Sequence, residues 1–290
     1  MLLVQRTLAR AGAGSWMRTP DDATMSLSIP GTTIRSMPRR LGQHFLRAPS
    51  VERLLRLVAP QPGESFLEIG PGAGAMTMPL AARAARVVAV ELDAVLAERL
   101  RARAPGNVAI VTGDALEVDL AALVPEGGRL VGNLPYYVSS PLLRRVLELR
   151  ARVRDVHVML QEEVARRIAS PPGSKEYGIL SVLYAACANV DVPLTFPPGA
   201  FAPPPRVSSA LLRARFLHPP PTAVADPAAL ERLLHRAFAH RRKTLENNLQ
   251  DSYPNLKQHL RLLNIEGSRR PETLSVVEFA KLAETLARDA

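Results

Sequence analysis

The segment Glu68-Ile69-Gly70-Pro71-Gly72-Ala73-Gly74 puts an acid and three alternate glycines where an apolar run gives way to a helical pattern. Glycines at such a strand-to-helix turn let the backbone approach a ligand, and a following helix start favours an anionic group. With Ala75 the segment satisfies the relaxed pattern GxGxxA. Two later acids extend it. Glu91 lies about twenty residues beyond Gly70 and ends the next apolar run, where a carboxylate can accept from both hydroxyls of an adenosine ribose. Asp114 ends the run after that, where it can accept from an adenine amine. Three features at three successive strand ends converge on one crevice. They point to a dinucleotide or to S-adenosylmethionine.

These residues need a framework that lines them up. Val51, Leu54, Leu55 and Val58 recur at helical spacing, with Ser50 placed to cap the helix and residues 60–63 to close it. Apolar runs at 65–69, 87–90, 108–111, 129–131 and 156–160 read as strands. Between them, helices are expected through residues 80–84, from a cap at Asp93 to about Arg103, and over 141–149. This alternation specifies an α/β fold, a parallel sheet with helices on both faces. Nine of the 26 prolines fall between Pro193 and Pro221, a stretch that admits one more strand at 207–216 but no continuous helix. Beyond it the periodicity is helical: 228–239, a second helix from about Arg242, 256–263, and a last one after Ser275. The expected organisation is an unstructured extension over 1–36, an α/β domain over 37–217 and a small all-α domain over 218–290. Arg6, Arg10 and Arg18 give the extension a second reading, as an organelle transit peptide.

Composition narrows the partners. The 290 residues carry 37 Lys and Arg against 27 Asp and Glu, a net charge of +10, which favours a polyanion such as nucleic acid. The run His240-Arg241-Arg242-Lys243 opens an expected helix and suits phosphate contacts by Arg241, Arg242 and Lys243. One cysteine, Cys187, excludes an internal disulfide and fits a reducing compartment; it reads as core. No apolar run is long enough to cross a membrane. The six histidines show no metal-ligand spacing, so no metal is expected.

Asn133-Leu134-Pro135-Tyr136 follows the fourth strand. Together with the acidic glycine loop it resembles the amino-directed methyltransferases. The exocyclic amine of a purine is a poor nucleophile because its lone pair is delocalised into the ring. An Asn oxygen and a backbone carbonyl that accept both amine protons favour a pyramidal, more nucleophilic nitrogen. Pro135 restricts the turn that presents the carbonyl, and Tyr136 offers a flat face to a base that is flipped or unpaired. Three further segments narrow the family: Leu41-Gly42-Gln43-His44-Phe45-Leu46, the run Phe201-Ala202-Pro203-Pro204-Pro205-Arg206-Val207-Ser208-Ser209-Ala210, and FAHRRKTLEN over 238–247. In this order they resemble the bacterial small-subunit (16S) rRNA adenine N6,N6-dimethyltransferases, the kasugamycin-sensitivity methyltransferases.

The resemblance implies a Rossmann-like methyltransferase sheet with a C-terminal helical RNA-binding domain. It implies transfer of four methyl groups from S-adenosylmethionine to two adjacent adenosines near the 3′ end of 16S rRNA, by a cytoplasmic monomer acting on an immature small ribosomal subunit. His44 and Leu46 would border the cofactor, Gly70 would lie against its methionine part, Glu91 would hold the ribose and Asp114 the adenine. Asn133 and the Leu134 carbonyl would hold the target amine, with Tyr136 and Phe201 sandwiching the base. Many members have Asn where this chain has His44. Competing readings are a large-subunit methylase of the macrolide-resistance type, a mitochondrial relative, a non-catalytic assembly factor, and a nicotinamide-dependent dehydrogenase. The last would leave the Asn133 motif and the basic run unexplained.

Overall fold

The computed structural model describes residues 16–18, 25–27 and 44–288. Its strands are β1 Trp16–Arg18, β2 Met25–Leu27, β3 Phe45–Leu46, β4 Ser65–Ile69, β5 Arg86–Glu91, β6 Val108–Thr112, β7 Gly128–Asn133, β8 Val153–Gln161, β9 Ala188–Phe196, β10 Phe201–Ala202 and β11 Ser209–Phe216. Nine of them form one sheet in the order β1-β2-β6-β5-β4-β7-β8-β11-β9, and β10 pairs with β3. From β2 to β8 the neighbours run parallel. The chain builds outward from β4 through β5 to β6, then returns to the other side of β4 with β7. That reversal between β4 and β7 is where open α/β sheets hold their ligands.

Alternation along the strands explains why the sheet is buried on both faces. Phe66, Val87, Ala89, Val108, Ile110 and Val131 share one face by register. They join one apolar cluster with Val51, Leu54, Leu55 and Val58 of the helix Ala48–Val58 and with Ala97 and Leu100 of the helix Ala94–Arg101. Leu67, Val88, Val90, Ala109, Val111 and Leu130 occupy the opposite face and are buried as well. A two-residue alternation with both sets apolar is the signature of a parallel sheet covered twice.

Asp93 caps its helix as expected, its Oδ1 accepting from Val95 N at 2.9 Å and Leu96 N at 3.1 Å. Ser50 does not cap. The helix begins at Ala48 after Arg47, because Pro49 fits the first turn, where no N–H is needed. The helix after the glycine loop is shorter than expected, only Thr77–Ala81, since residues 72–76 form turns. The extension also departs from expectation where β1 and β2 add parallel and antiparallel pairs beyond β6. The remaining residues of 1–43, including Arg6 and Arg10, lie outside the described residues.

The chain divides into two compact units, residues 1–162 with 193–213 and residues 163–192 with 214–290. The expected boundary at 217 therefore lies near one crossing, but residues 163–192 move to the helical unit. Tyr177 and Val182 belong to that unit's apolar cluster with Leu230, Leu234, Leu245 and Phe279. Its helices Pro227–Ala237 and Val276–Ala287 are capped by Asp226 and Ser275. The helix expected from Arg242 starts later, at Leu245, because Thr244 caps it and accepts from Asn247 N. Cys187 is half-buried rather than core, its thiol directed at the Leu183 carbonyl at 3.4 Å.

Candidate active site

The ends of β4, β5 and β7 and the segment at β3 enclose one crevice lined by His44, Phe45, Gly70, Gly72, Glu91, Asn133, Leu134, Pro135 and Tyr136. Register explains the convergence. Ile69 is level with Val90 and with Gly132, so Gly70, Glu91 and Asn133 stand side by side on one face. Gly70 and Gly72 have φ of +71° and +55°, values that L side chains rarely adopt. A Cβ on Gly72 would lie 2.7 Å from the Phe45 ring, so the loop depends on glycine for its approach to the β3 segment.

Glu91 organises the loop. Its Oε2 accepts from Gly72 N at 2.8 Å and its Oε1 from Asp93 N at 2.9 Å. Burial pushes its pKa up, against these two backbone donors, and the Asp93 charge adds to the rise. Each oxygen keeps a lone pair for a hydroxyl donor. A glycine cradle beside such a carboxylate fits an adenosine ribose.

Asn133 Nδ2 donates to the His44 carbonyl at 2.8 Å. That bond assigns the NH₂ group to the His44 side and leaves Oδ1 as an acceptor. Leu134 N donates to Met159 O at 3.2 Å, and the Pro135 carbonyl accepts from Ser139 Oγ at 3.1 Å. The turn is thus tied at both ends. The Tyr136 hydroxyl lies 2.7 Å from Ser209 Oγ, which fixes the ring, and the His44 ring stacks on it with centroids 6.0 Å apart and planes inclined by 29°. His44 Nδ1 lies 2.8 Å from the Pro203 carbonyl.

Three expected residues stand apart from the crevice lining. Phe201 is buried in the apolar cluster and pairs with Leu46. Leu46 is buried in the same cluster, and the neighbouring Phe45 lines the crevice instead. Asp114 sits just past β6, where its Oδ1 accepts from Leu116 N at 2.8 Å. The sequence reading missed Phe45 and Gly72, although both lie in segments it had singled out. It also missed Glu68, which is buried beneath the loop without a cation beside it.

In the helical unit, Arg241, Arg242 and Lys243 are exposed. Arg241 is also a strut: its guanidinium donates to the carbonyls of Lys175 and, at 3.1 Å, Tyr177. Among the described residues no group of His, Cys, Asp and Glu is placed to hold a metal ion, and no helix is long and apolar enough to cross a membrane.

Residues 34–288 match the family model for ribosomal RNA adenine dimethylase. The chain is 45% identical over 254 residues to the ribosomal RNA small subunit methyltransferase A of Leptothrix cholodnii, covering 86% of this chain and 92% of the relative. Its Xylella fastidiosa counterpart is 42% identical over 251 residues, covering 84% and 94%. Among solved structures, a dimethyladenosine transferase from Plasmodium falciparum superposes with a TM-score of 0.72 at 22% identity over 84% of this chain and 98% of that one. The 23S rRNA methyltransferase ErmE gives 0.61 at 24% identity over 84% and 99%. These two establish the fold.

Proposed function

The chain belongs to the ribosomal RNA adenine dimethylase family, and from that premise we propose that it dimethylates the N6 amines of two adjacent adenosines near the 3′ end of 16S rRNA. Bound S-adenosylmethionine supplies an electrophilic methyl group on a sulfonium sulfur. The observation that carries the reading is the oriented Asn133 carboxamide, with Nδ2 engaged by His44 O and Oδ1 left to accept.

Asn133 Oδ1 and the Leu134 carbonyl accept the two protons of the target amine and hold its lone pair toward the methyl group. The nitrogen needs no strong base, because it becomes acidic once alkylated. Holding the reactants in line and matching hydrogen-bond acceptors to the amine supply most of the acceleration. Tyr136, fixed through Ser209, stacks on the extruded base. Phe201, which pairs with Leu46 beside the crevice, takes the other face of the base, and the His44 ring stacks against Tyr136 itself. Glu91 holds the ribose hydroxyls of the cofactor, Gly70 lies against its methionine part, and Asp114 accepts from its adenine amine. Arg242 and Lys243 contact phosphates, while Arg241 props the loop at Lys175 and Tyr177. The substrate in this proposal is an immature small subunit, met by a monomer in the cytoplasm.

Methyl transfer from tritiated S-adenosylmethionine to undermethylated small subunits, with large subunits as control, tests the proposal. The expected product is N6,N6-dimethyladenosine on the small subunit alone, read by nucleoside mass analysis. Label confined to the large subunit would overturn it.

A further inference from the structure

Glu68 has no part in the steps above, yet it is the least comfortable group in the α/β unit. It is 1% exposed, and neither carboxylate oxygen meets a cation or a backbone donor. The Thr77 hydroxyl, at the start of the short helix after the glycine loop, is buried as well and faces Glu68. Register fixes where Glu68 lies. It is level with Ala89 on β5 and Val131 on β7, and therefore shares a face with Gly70, Glu91 and Asn133, one pleat beneath them. The groups that face it are the Thr77 hydroxyl from the helix, Ala89 and Val131 from the flanking strands, and the like-charged Glu91 at the end of β5. Burial, only partly offset by the Thr77 hydroxyl and reinforced by Glu91, raises its pKa to about 7. A buried acid that lacks a cation is ionised only at a cost, which a positive charge close above it would offset.

Resting on the cofactor reading above, we propose that Glu68 senses the charge of the cofactor: it is ionised beneath S-adenosylmethionine and protonated beneath the thioether product, S-adenosylhomocysteine. The two molecules share the same ammonium and carboxylate and differ in the sulfonium charge. In transfer, the sulfur–methyl bond breaks with its electron pair left on sulfur and a nitrogen–methyl bond forms. N6 releases one proton to solvent. Glu68 takes up one proton from solvent as the sulfonium charge disappears. The pocket thereby ceases to favour what it holds, which suits a reaction that must exchange cofactor between successive transfers to one nitrogen.

Calorimetric titration of the full chain with each ligand, at pH 7 in two buffers of different ionisation enthalpy, counts the protons exchanged. S-adenosylmethionine should release about half a proton per site and the thioether should take up about half a proton, the expectation for a group with its ligand-free pKa at the working pH. The ratio of the two dissociation constants, thioether over sulfonium, should rise about a hundredfold from pH 6 to pH 8, about tenfold from each ligand. In Glu68→Gln both effects should vanish while both ligands still bind, which separates Glu68 from Glu91. Equal proton release for the two ligands, or a ratio independent of pH, would overturn the proposal and leave the cofactor site standing. The wild-type pH series decides this even if the variant does not fold. Binding of neither ligand by the wild-type chain would overturn the cofactor reading itself, and this proposal with it.

Discussion

At the end of the sheet where β4, β7 and β8 begin, buried charge is fully matched. Arg129 donates from Nε to Asp155 Oδ1 and from Nη1 to Glu64 Oε2, each at 2.8 Å, and its guanidinium lies over the Phe66 ring. Arg154 adds a second cation on Glu64, and His157 approaches Asp155 at 3.5 Å. Although burial opposes it, these donors hold the Glu64 carboxyl below its ordinary range. At the opposite end of the sheet, on β4 and β5, Glu68 and Glu91 have no cation among the described residues. Glu91 is held by backbone N–H groups and Glu68 by no more than the Thr77 hydroxyl, so burial raises both. The same sheet therefore carries a satisfied network at one end and unmet electrostatic demand at the other. Unmet demand costs stability and is kept where a ligand's charge can meet it.

The largest effect expected from this contrast is at the matched end. Arg129→Met leaves Glu64 and Asp155 without their central partner, and unfolding in urea should show a loss of about 3–5 kcal/mol. A loss below about 1 kcal/mol would mean that Arg154 and solvent carry the network. At the unmatched end the sign reverses. Because the folded-state pKa of Glu68 is raised from 4.5 to about 7, its contribution is intact at low pH and is lost as pH rises through 7. Glu68→Gln should therefore leave stability near pH 5 almost unchanged and increase it at pH 8 by at most about 3 kcal/mol. Equal destabilisation at both pH values would show that Glu68 is a structural acid like Glu64. The smallest free-energy change is purely catalytic. Asn133→Ala should lower turnover about a hundredfold, equivalent to about 2.7 kcal/mol, with an unchanged melting temperature. Unchanged turnover would remove Asn133 from the amine site.

Local pattern and spacing were sufficient to read the alternating strands and helices, the Asp93 cap, the glycine loop, and Glu91 and Asn133 at strand ends. Periodicity and capping are set by residues within a few positions of one another. The resemblance then added the reaction. Tertiary contacts decided the rest. The Arg129 network joins residues 26 and 65 positions apart, and the Asn133–His44 bond spans 89. Phe201 is buried because pairing of β10 with β3 sets it in the apolar cluster. Residues 163–192 joined the helical unit because Tyr177 and Val182 found their apolar neighbours there. Glu68 was visible in the sequence as an acid before a glycine loop. That it is buried without a cation follows from which side chains the folded sheet and its helices bring around it, and a linear pattern carries no record of what fails to arrive.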